Sequence, residues 1–169
     1  MHAVAKKRSL APAVWPVRRK DRELSRADAL DLLHRAAYGV LAMDDGSSWP
    51  YALPLSFVLL DEALYFHCAA EGRKLDILRL NNRVCFSAVD DVEPVFNNGF
   101  STYYTSALVF GRVFPVEDKE EKNRALLALA QKYLPAHADA AGLYIEKSFK
   151  RTLVRKLVPE LISGKSKSR

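Results

Sequence analysis

The sequence predicts a mainly β domain with inserted helices, in which an antiparallel sheet closes into a barrel. Short apolar segments of strand length are separated by tight-turn signals, which is typical of antiparallel strands joined by hairpins. Helical segments interrupt these strands irregularly and do not alternate with them, which argues against a parallel α/β sheet. At 169 residues and 49% hydrophobic composition, the chain suits one domain with a buried core.

The first half of the chain contains clear start and stop signals. Ser25 and Asp28 resemble a capping box at the start of a helix, although Asp replaces the usual Glu. Asp45-Gly46 between apolar segments is a strong hairpin signal, and Asp61-Glu62 indicates a second turn. Pro50 and Pro54 require a strand start, a bulge or an edge strand, because proline has no N–H to donate. The predicted elements are a helix over 26–37 and strands over 39–43, 51–60 and 63–68.

The second half predicts longer strands and two amphipathic segments. Gly111 interrupts a long apolar segment and indicates a bend or bulge there. Residues 90–100 are polar, with proline and asparagine, and are predicted to form a loop. The predicted elements are helices over 72–81, 117–133 and 142–149 and strands over 83–89, 103–116 and 152–158.

Positive charge is concentrated at the two ends of the chain. Of the net charge of +6, residues 1–24 carry +5 and residues 163–169 carry +3, which leaves −2 for the residues between them. A basic nucleic-acid-binding face on the folded body is therefore not expected. We predict a flexible extension over 1–17, a folded domain over 18–164 and a basic tail over 165–169.

Composition also bears on compartment and on membrane insertion. No apolar segment approaches the roughly 20 residues that a membrane-spanning helix needs. The two cysteines, Cys68 and Cys85, have neither metal-ligand spacing nor the number that a disulfide framework needs. We expect free, mostly buried thiols and a cytoplasmic protein.

Residues 65–77 are the strongest functional candidate. A strand-like segment ends in a lone histidine, His67, and Gly72 then precedes Arg73 and Lys74 at the predicted start of a helix. A helix N-terminus with a glycine and two cations can bind phosphate. The alternative is an ordinary strand–loop–helix connection with solvated cations, in which His67 is a hydrogen-bonded structural residue.

Other kinds of catalytic site find little support. Ser56 lacks the Gly-x-Ser-x-Gly elbow of a hydrolase, and the paired aspartates at 44–45 and 90–91 are typical of turns. His34 and His137 form no metal-ligand pattern with His67, so no metal site is predicted.

Several segments together resemble the nitroimidazole-resistance (Nim-like) branch of the pyridoxamine 5′-phosphate oxidase-like, FMN-binding split-barrel family. The resemblance extends over about residues 18–164, and the order and spacing of the segments make it specific. The matching segments are 18–23 (RRKDRE), 38–42 (YGVLA), 50–56 (PYALPLS), 65–69 (YFHCA), 72–74 (GRK), 110–111 (FG), 144–148 (YIEKS) and 151–152 (RT).

The resemblance implies a six-stranded antiparallel split barrel that forms a homodimer with two FMN sites at the subunit interface. Lys74, supported by Arg73, would bind the FMN phosphate, and His67 would lie beside the flavin as the catalytic residue. Tyr103 and Tyr104 would reach the cofactor from the partner subunit, although barrel-wall packing is their alternative role. The strand that lines the flavin ring would supply Leu53, Pro54, Leu55 and Ser56.

The implied function is an FMN-dependent, nitroreductase-like oxidoreductase that takes electrons from NAD(P)H and passes them to a small acceptor such as a nitroaromatic. His67 could orient or protonate that acceptor. A non-catalytic flavin- or haem-binding sensor is the alternative, because related split barrels bind haem and His67 could serve as an axial ligand. A deazaflavin-using reductase is a further alternative. The substrate-phosphate residues of pyridoxamine 5′-phosphate oxidase itself are not identifiable.

Overall fold

The computed structural model describes residues 16–46, 49–96 and 98–168. Seven strands form one sheet, and all of the pairings between neighbouring strands are antiparallel. In chain order the strands are β1 (Gly39–Met43), β2 (Tyr51–Leu55), β3 (Val58–Leu60), β4 (Ala63–Cys68), β5 (Arg83–Phe96), β6 (Phe100–Pro115) and β7 (Leu153–Lys167). This confirms the predicted mainly β class.

Four α-helices in the described part of the chain accompany the sheet. They are α1 (Arg26–Arg35), α2 (Arg73–Leu80), α3 (Lys119–Tyr133) and α4 (Ala138–Ser148), with short 3-10 helices at Lys20–Arg22 and Pro135–His137. The predicted cap of α1 is confirmed, because the Ser25 hydroxyl accepts the Asp28 N–H at 3.1 Å. None of the described helices is long and apolar enough to cross a bilayer.

Strand order explains why the sheet curls. It runs β2-β1-β5-β6-β7-β4-β3, so β2 and β3 lie at opposite edges. Only Ser56 and Phe57 separate these two strands in the chain. The two edges of the sheet must therefore come together, which turns an open sheet into a barrel that is closed by a chain connection rather than by a ladder. This is the predicted split barrel.

The predicted single strand over 51–60 is wrong, and its break raises the strand count from six to seven. Phe57 makes no ladder bond at this point. Its N–H and C=O instead bond the Tyr133 hydroxyl, at 2.9 and 3.0 Å. β2 then pairs with β1 while β3 pairs with β4 through the Asp61-Glu62 turn.

The predicted loop over 90–100 is also wrong, because β5 and β6 continue through it as a hairpin. A register shift between Asp90 and Glu93 absorbs the extra residues, and pairing resumes as far as Phe96 with Phe100. A second register shift at Phe110/Gly111 confirms the bulge that Gly111 indicated. A Cβ at Gly111 would lie 2.2 Å from the Val158 carbonyl oxygen, so only glycine fits there.

The last strand extends well beyond its predicted end. β7 runs to Lys167, with Lys165 paired to Ser106 and Lys167 to Tyr104. The domain therefore continues past residue 164, and most of the predicted basic tail belongs to the sheet. The predicted extension over 1–17 lies outside the described residues except for its last two.

Two hydrophobic clusters lie on opposite faces of the curled sheet. The inner cluster fills the barrel and includes α1 through Ala29, Leu32 and Leu33. The outer cluster packs α3 and α4 against the outer side of β3, β4 and β7, with Tyr65 and Val154 among its buried members. The helices α3 and α4 thus cover only part of the outer face.

Candidate functional site

Strand β4 presents its side chains alternately to the two clusters. Leu64 and Phe66 are buried inside the barrel, whereas Tyr65 lies in the outer cluster. His67 is two residues beyond Tyr65 and so lies on the same outer side. Unlike Tyr65, His67 is exposed, and its cross-strand neighbour on β7 is Val154.

His67 opens into a cavity of about 480 Å³ between the sheet and the two outer helices. A volume in the range of roughly 300–1,000 Å³ is typical of small-molecule sites. The lining is mainly apolar and includes several polar side chains. The cavity is lined by Ser56, His67, Leu126, Leu129, Ala130, Tyr133, Leu134, His137, Ala140, Ala141, Tyr144, Ile145, Ser148, Arg151 and Thr152.

Two of the hydroxyl groups in this cavity hold its walls in place. Tyr133 bonds the backbone of Phe57, which ties α3 to the β2–β3 connection. Ser148 donates to the Tyr144 carbonyl at 2.9 Å, which returns its hydroxyl to the last turn of α4. Because both hydroxyls are engaged, they are less available to a ligand than the other polar groups.

The remaining polar side chains of the cavity are open. Ser56, His67, His137 and Arg151 have no side-chain hydrogen bond or ion pair within the described part of the chain. All four can donate a hydrogen bond to a ligand, and Arg151 also carries a permanent charge. The cavity therefore offers unsatisfied donors beside apolar walls, as ligand sites commonly do.

The electrostatic environment of His67 favours the uncharged imidazole. Desolvation by the surrounding protein lowers the pKa of the His67 imidazole, and the positive charge of Lys74 lowers it further. A neutral imidazole has one N–H donor and one acceptor nitrogen, so it can exchange a proton with a bound molecule at neutral pH. The start of α2 lies close to this strand, because Lys74 Nζ contacts the ring of Phe66, the residue before His67.

The start of α2 carries two cations where a helix ordinarily prefers acids. Gly72 has φ 129°, which a side chain would strain, and its carbonyl accepts the Leu75 N–H at 2.8 Å. The Arg73 guanidinium carbon lies 5.0 Å from the Tyr51 ring, and Lys74 Nζ lies 5.3 Å from the Phe66 ring. Cations at a helix N-terminus are disfavoured by the dipole, and a bound anion would relieve that repulsion.

The four residues predicted to line a ring-binding strand divide between the two faces of β2. Leu53 and Leu55 pack against the inner cluster, so only their backbone is available from outside. Pro54 and Ser56 are exposed on the other side. β2 is an edge strand, which agrees with the prediction from Pro54, and its outer edge leaves backbone donors and acceptors unpaired in the described sheet.

Tyr103 and Tyr104 are not part of the same site within one chain. Both are half-buried near the N-terminal end of β6, where Tyr104 pairs with Lys167. His67 on β4 pairs with β7, and that part of β7 lies beside the opposite end of β6, beyond Phe114. At about 3.3 Å per residue, Tyr104 and Phe114 are separated by roughly 33 Å along the strand.

A second part of the outer face is apolar but not packed into either cluster. One row crosses four paired strands through Ala42, Cys85, Phe110 and Leu161, all half-buried. Leu108, on the same face of β6, is 39% exposed. Both Cys68 and Cys85 are free thiols, as predicted, although each is half-buried rather than buried, and burial raises the pKa of Cys85.

The sequence pattern missed several residues of the cavity. His137 lies 70 positions from His67 in an alanine-rich segment, and no local signal links the two. Tyr133 resembled one more apolar residue of an amphipathic helix. Ser148 and Arg151 fall within two segments of the family resemblance, 144–148 and 151–152, which marked them only weakly, with ordinary solvent-exposed side chains as the alternative.

Comparisons with known proteins agree with this architecture. Among proteins of curated function, no significant match to the sequence was found. A candidate 5-nitroimidazole antibiotic resistance protein of Bacteroides thetaiotaomicron is similar in structure, with 24% identity, a TM-score of 0.71 and coverage of 85% of this chain and 86% of that chain. At this level of identity the likeness concerns the fold.

Two further solved structures are similar to this chain. An FAD- and haem-binding protein of Mycobacterium smegmatis has 21% identity and a TM-score of 0.77, with coverage of 88% of this chain and 74% of that chain. An FAD-binding protein of Mesorhizobium loti has 22% identity, a TM-score of 0.60 and coverage of 87% and 98%. The family profile for pyridoxamine 5′-phosphate oxidase matches residues 25–166. Because that match covers well over half of the chain, including all of the described α-helices and nearly the whole curled sheet, the chain belongs to the pyridoxamine 5′-phosphate oxidase family.

Proposed function

We propose that the protein is a homodimeric FMN-dependent oxidoreductase that transfers electrons from NAD(P)H to a small acceptor. The observation that carries the proposal is the placement of an open, uncharged imidazole, His67, between an apolar cavity and the cationic start of α2. Two structural relatives are described as binding a flavin, which supports the class of cofactor.

The phosphate end of FMN fits the first turn of α2. Lys74 has no carboxylate partner among the described residues, and its known contact is with the face of Phe66. A phosphate there would receive charge-assisted hydrogen bonds, which are about twice as strong as neutral ones. Arg73 would support it from the same turn. The positive φ of Gly72 shapes the loop that leads into this turn.

The ring of FMN fits the edge of β2. The unpaired backbone of an edge strand can hydrogen-bond a planar heterocycle, and Pro54 and Ser56 provide the outward-facing side chains. Leu53 and Leu55 would contribute through their backbone, because their side chains belong to the barrel interior. Ser56 also lines the cavity with His67, so a ring at this edge would adjoin the cavity.

A second copy of the chain would complete the site. Tyr103 and Tyr104 lie too far along β6 to reach His67 within one chain, so their part in flavin binding requires the partner subunit. The half-buried row through Ala42, Cys85 and Phe110 is an apolar surface that dimerisation would cover.

The chemistry would divide between cofactor and protein. When bound, FMN would supply hydride and electron transfer. His67 would donate its N–H to the acceptor or return a proton to it, because its lowered pKa keeps the ring uncharged at neutral pH. The apolar walls of α3 and α4 would exclude water from the reacting groups. Free Cys68 and Cys85 thiols are in keeping with a cytoplasmic location.

Titration of purified protein with FMN tests the proposal. Binding should give flavin absorbance near about 450 nm, a value typical of the cofactor. Lys74→Ala should weaken FMN binding by about 1.5–3 kcal/mol, the contribution of a hydrogen bond to a charged group. Arg79→Ala is the matched control, because Arg79 lies at the other end of α2 and pairs with Asp76 at 2.6 Å. Equal FMN affinity in both variants would remove Lys74 from the phosphate site.

Haem is the second candidate cofactor, and one observation favours it. His67 and His137 line the same cavity, and their imidazoles would hold haem iron if it were bound. Reconstitution with haem should then give a Soret band near about 410 nm that His137→Ala alters. A protein that binds neither FMN nor haem would be consistent with a deazaflavin cofactor and would overturn the FMN proposal.

A further inference from the structure

In the cavity between α3, α4 and the sheet, here called the α3–α4 cavity, the described side chains that can carry charge are basic. The described residues that line it include Arg151 and two histidines but no aspartate or glutamate. The positive charge of Lys74 lowers the pKa of His67, so it adds to the positive potential at that residue. A ligand that carries negative charge is therefore favoured over a neutral or cationic one.

Arg151 stands at the rim of the cavity on a fixed backbone. The Ser148 carbonyl accepts the N–H groups of both Arg151 and Thr152, each at 3.1 Å. Ser148 is itself buried, and its hydroxyl bonds the preceding turn of α4. The turn that carries Arg151 is thus anchored, while its guanidinium has no acidic partner among the described residues.

The body of the cavity suits a flat apolar group. Leu126 and Leu129 come from α3 and Ile145 from α4, and all three are buried. Small side chains at Ala130 and Ala141 leave space between these helices. The ring of Tyr133 forms another wall, and its hydroxyl is held by Phe57. Aromatic rings pack well against such walls.

We propose that this cavity binds a small aromatic carboxylate, with the ring between α3 and α4 and the carboxylate on Arg151. A planar guanidinium can bind a carboxylate through two parallel hydrogen bonds. The opposite end of the ring then points toward Ser56 and His67. This inference rests on the proposed function, because it names the class of acceptor that the flavin site would serve.

Calorimetric titration with 4-chlorobenzoate, compared with 4-chlorobenzyl alcohol, tests the inference by binding alone. The two probes share one aromatic body, but only the first is charged. We expect the wild-type protein to bind the carboxylate at least about tenfold more tightly, the lower limit for a hydrogen bond to a charged group. Equal affinity for the two probes would overturn the inference.

Three variants locate the probe. Arg151→Gln should remove the preference for the carboxylate, whereas Arg124→Gln should keep it, because Arg124 pairs with Asp61 and does not line the cavity. Ala140→Trp places a bulky group at the exposed rim and should weaken both probes by about tenfold or more. An unchanged preference in Arg151→Gln, or unchanged affinities in Ala140→Trp, would place binding elsewhere and contradict the inference.

The same titrations separate this inference from the proposed function. Run with and without FMN, they should show carboxylate binding in both forms, since no cavity residue named here depends on the cofactor. Protein that binds the carboxylate but not FMN would leave the cavity assignment standing and remove the flavin proposal. Protein that binds FMN but not the carboxylate would leave the flavin proposal standing and remove the cavity assignment.

Discussion

Tyr65 shows how one buried polar group is accommodated beneath α3. Its side chain is only 1% exposed, and its hydroxyl donates to Glu121 Oε1 at 2.6 Å. Lys156 Nζ donates to the same oxygen at 2.8 Å. The hydrogen bond from Lys156, followed by that from Tyr65, holds the pKa of Glu121 below its ordinary value. A charged Glu121 therefore stabilises the outer cluster.

We predict that Glu121→Gln lowers the free energy of unfolding at pH 7 by about 1 kcal/mol, because Lys156 and Tyr65 lose an ionic acceptor and the site is partly exposed. The depressed pKa contributes stability above the ordinary value of Glu, and this contribution is lost as the pH falls through the folded pKa. Urea titrations at pH 7 and at acidic pH should show the difference between wild type and variant shrinking on acidification. A difference that stays constant with pH would contradict this.

His67 is the residue for which catalysis and binding can be separated. We predict that His67→Ala reduces turnover of the FMN-loaded protein by about 10²–10⁴-fold, the usual contribution of general acid–base catalysis. FMN affinity should change little, because the phosphate contacts are assigned to the start of α2. Steady-state kinetics and FMN titration of the same preparation measure both. Unchanged turnover of every accepted substrate would make His67 a structural residue.

At the scale of elements, the connection from β2 to β3 decides both the barrel and the site. Phe57 is fully buried, and its backbone is satisfied by the Tyr133 hydroxyl rather than by a neighbouring strand. This contact attaches α3 to the place where the two sheet edges meet. It also positions Ser56, the preceding residue, in the lining of the cavity.

We predict that Tyr133→Phe destabilises the protein by about 1–3 kcal/mol, because it leaves a buried N–H and C=O without a partner. Tyr144→Phe should have little effect, since Tyr144 is 69% exposed and its hydroxyl makes no hydrogen bond within the described residues. Denaturant unfolding of the two variants provides the comparison. Equal stability would show that water replaces the lost hydroxyl at Phe57.

At the scale of the whole molecule, the α3–α4 layer covers one part of the outer sheet face and leaves another part exposed. The exposed part contains the row through Cys85 and Phe110, with Leu108 beside it. The two tyrosines assigned to the flavin lie on the same hairpin, far from His67. Association of two copies would cover the exposed apolar row and would supply the two tyrosines to the flavin site of the other copy.

We predict that the protein is a dimer and that Leu108→Asp converts it to a monomer with much weaker FMN binding, because a buried carboxylate in the interface would be desolvated. Leu127→Asp is the matched control, since Leu127 is also 39% exposed but lies on α3. Light scattering coupled to gel filtration measures the mass, and FMN titration measures the site. A monomeric wild type with full FMN affinity would remove the partner subunit from the proposal.

Local signals were reliable where local energetics decide the structure. The Ser25 cap, the turn at Asp61-Glu62 and the bulge at Gly111 were predictable because each depends on a few neighbouring backbone groups. The continuation of β5 through residues 90–96 was not, because pairing with β6 overrides a polar, proline-containing sequence. The extension of β7 to Lys167 was likewise not predictable, because it depends on pairing with β6.

The sequence by itself determined the mainly β class and the inserted helices, because these follow from periodicity and turn chemistry, and it identified His67, Arg73 and Lys74 as candidates through a short motif. Only the tertiary structure decided that Ser56, His67, His137 and Arg151 share one cavity and that Leu53 and Leu55 face inward. The physical reason is that local patterns act over a few residues. The curl of the sheet and the packing of α3 and α4 bring together groups that are distant in the chain.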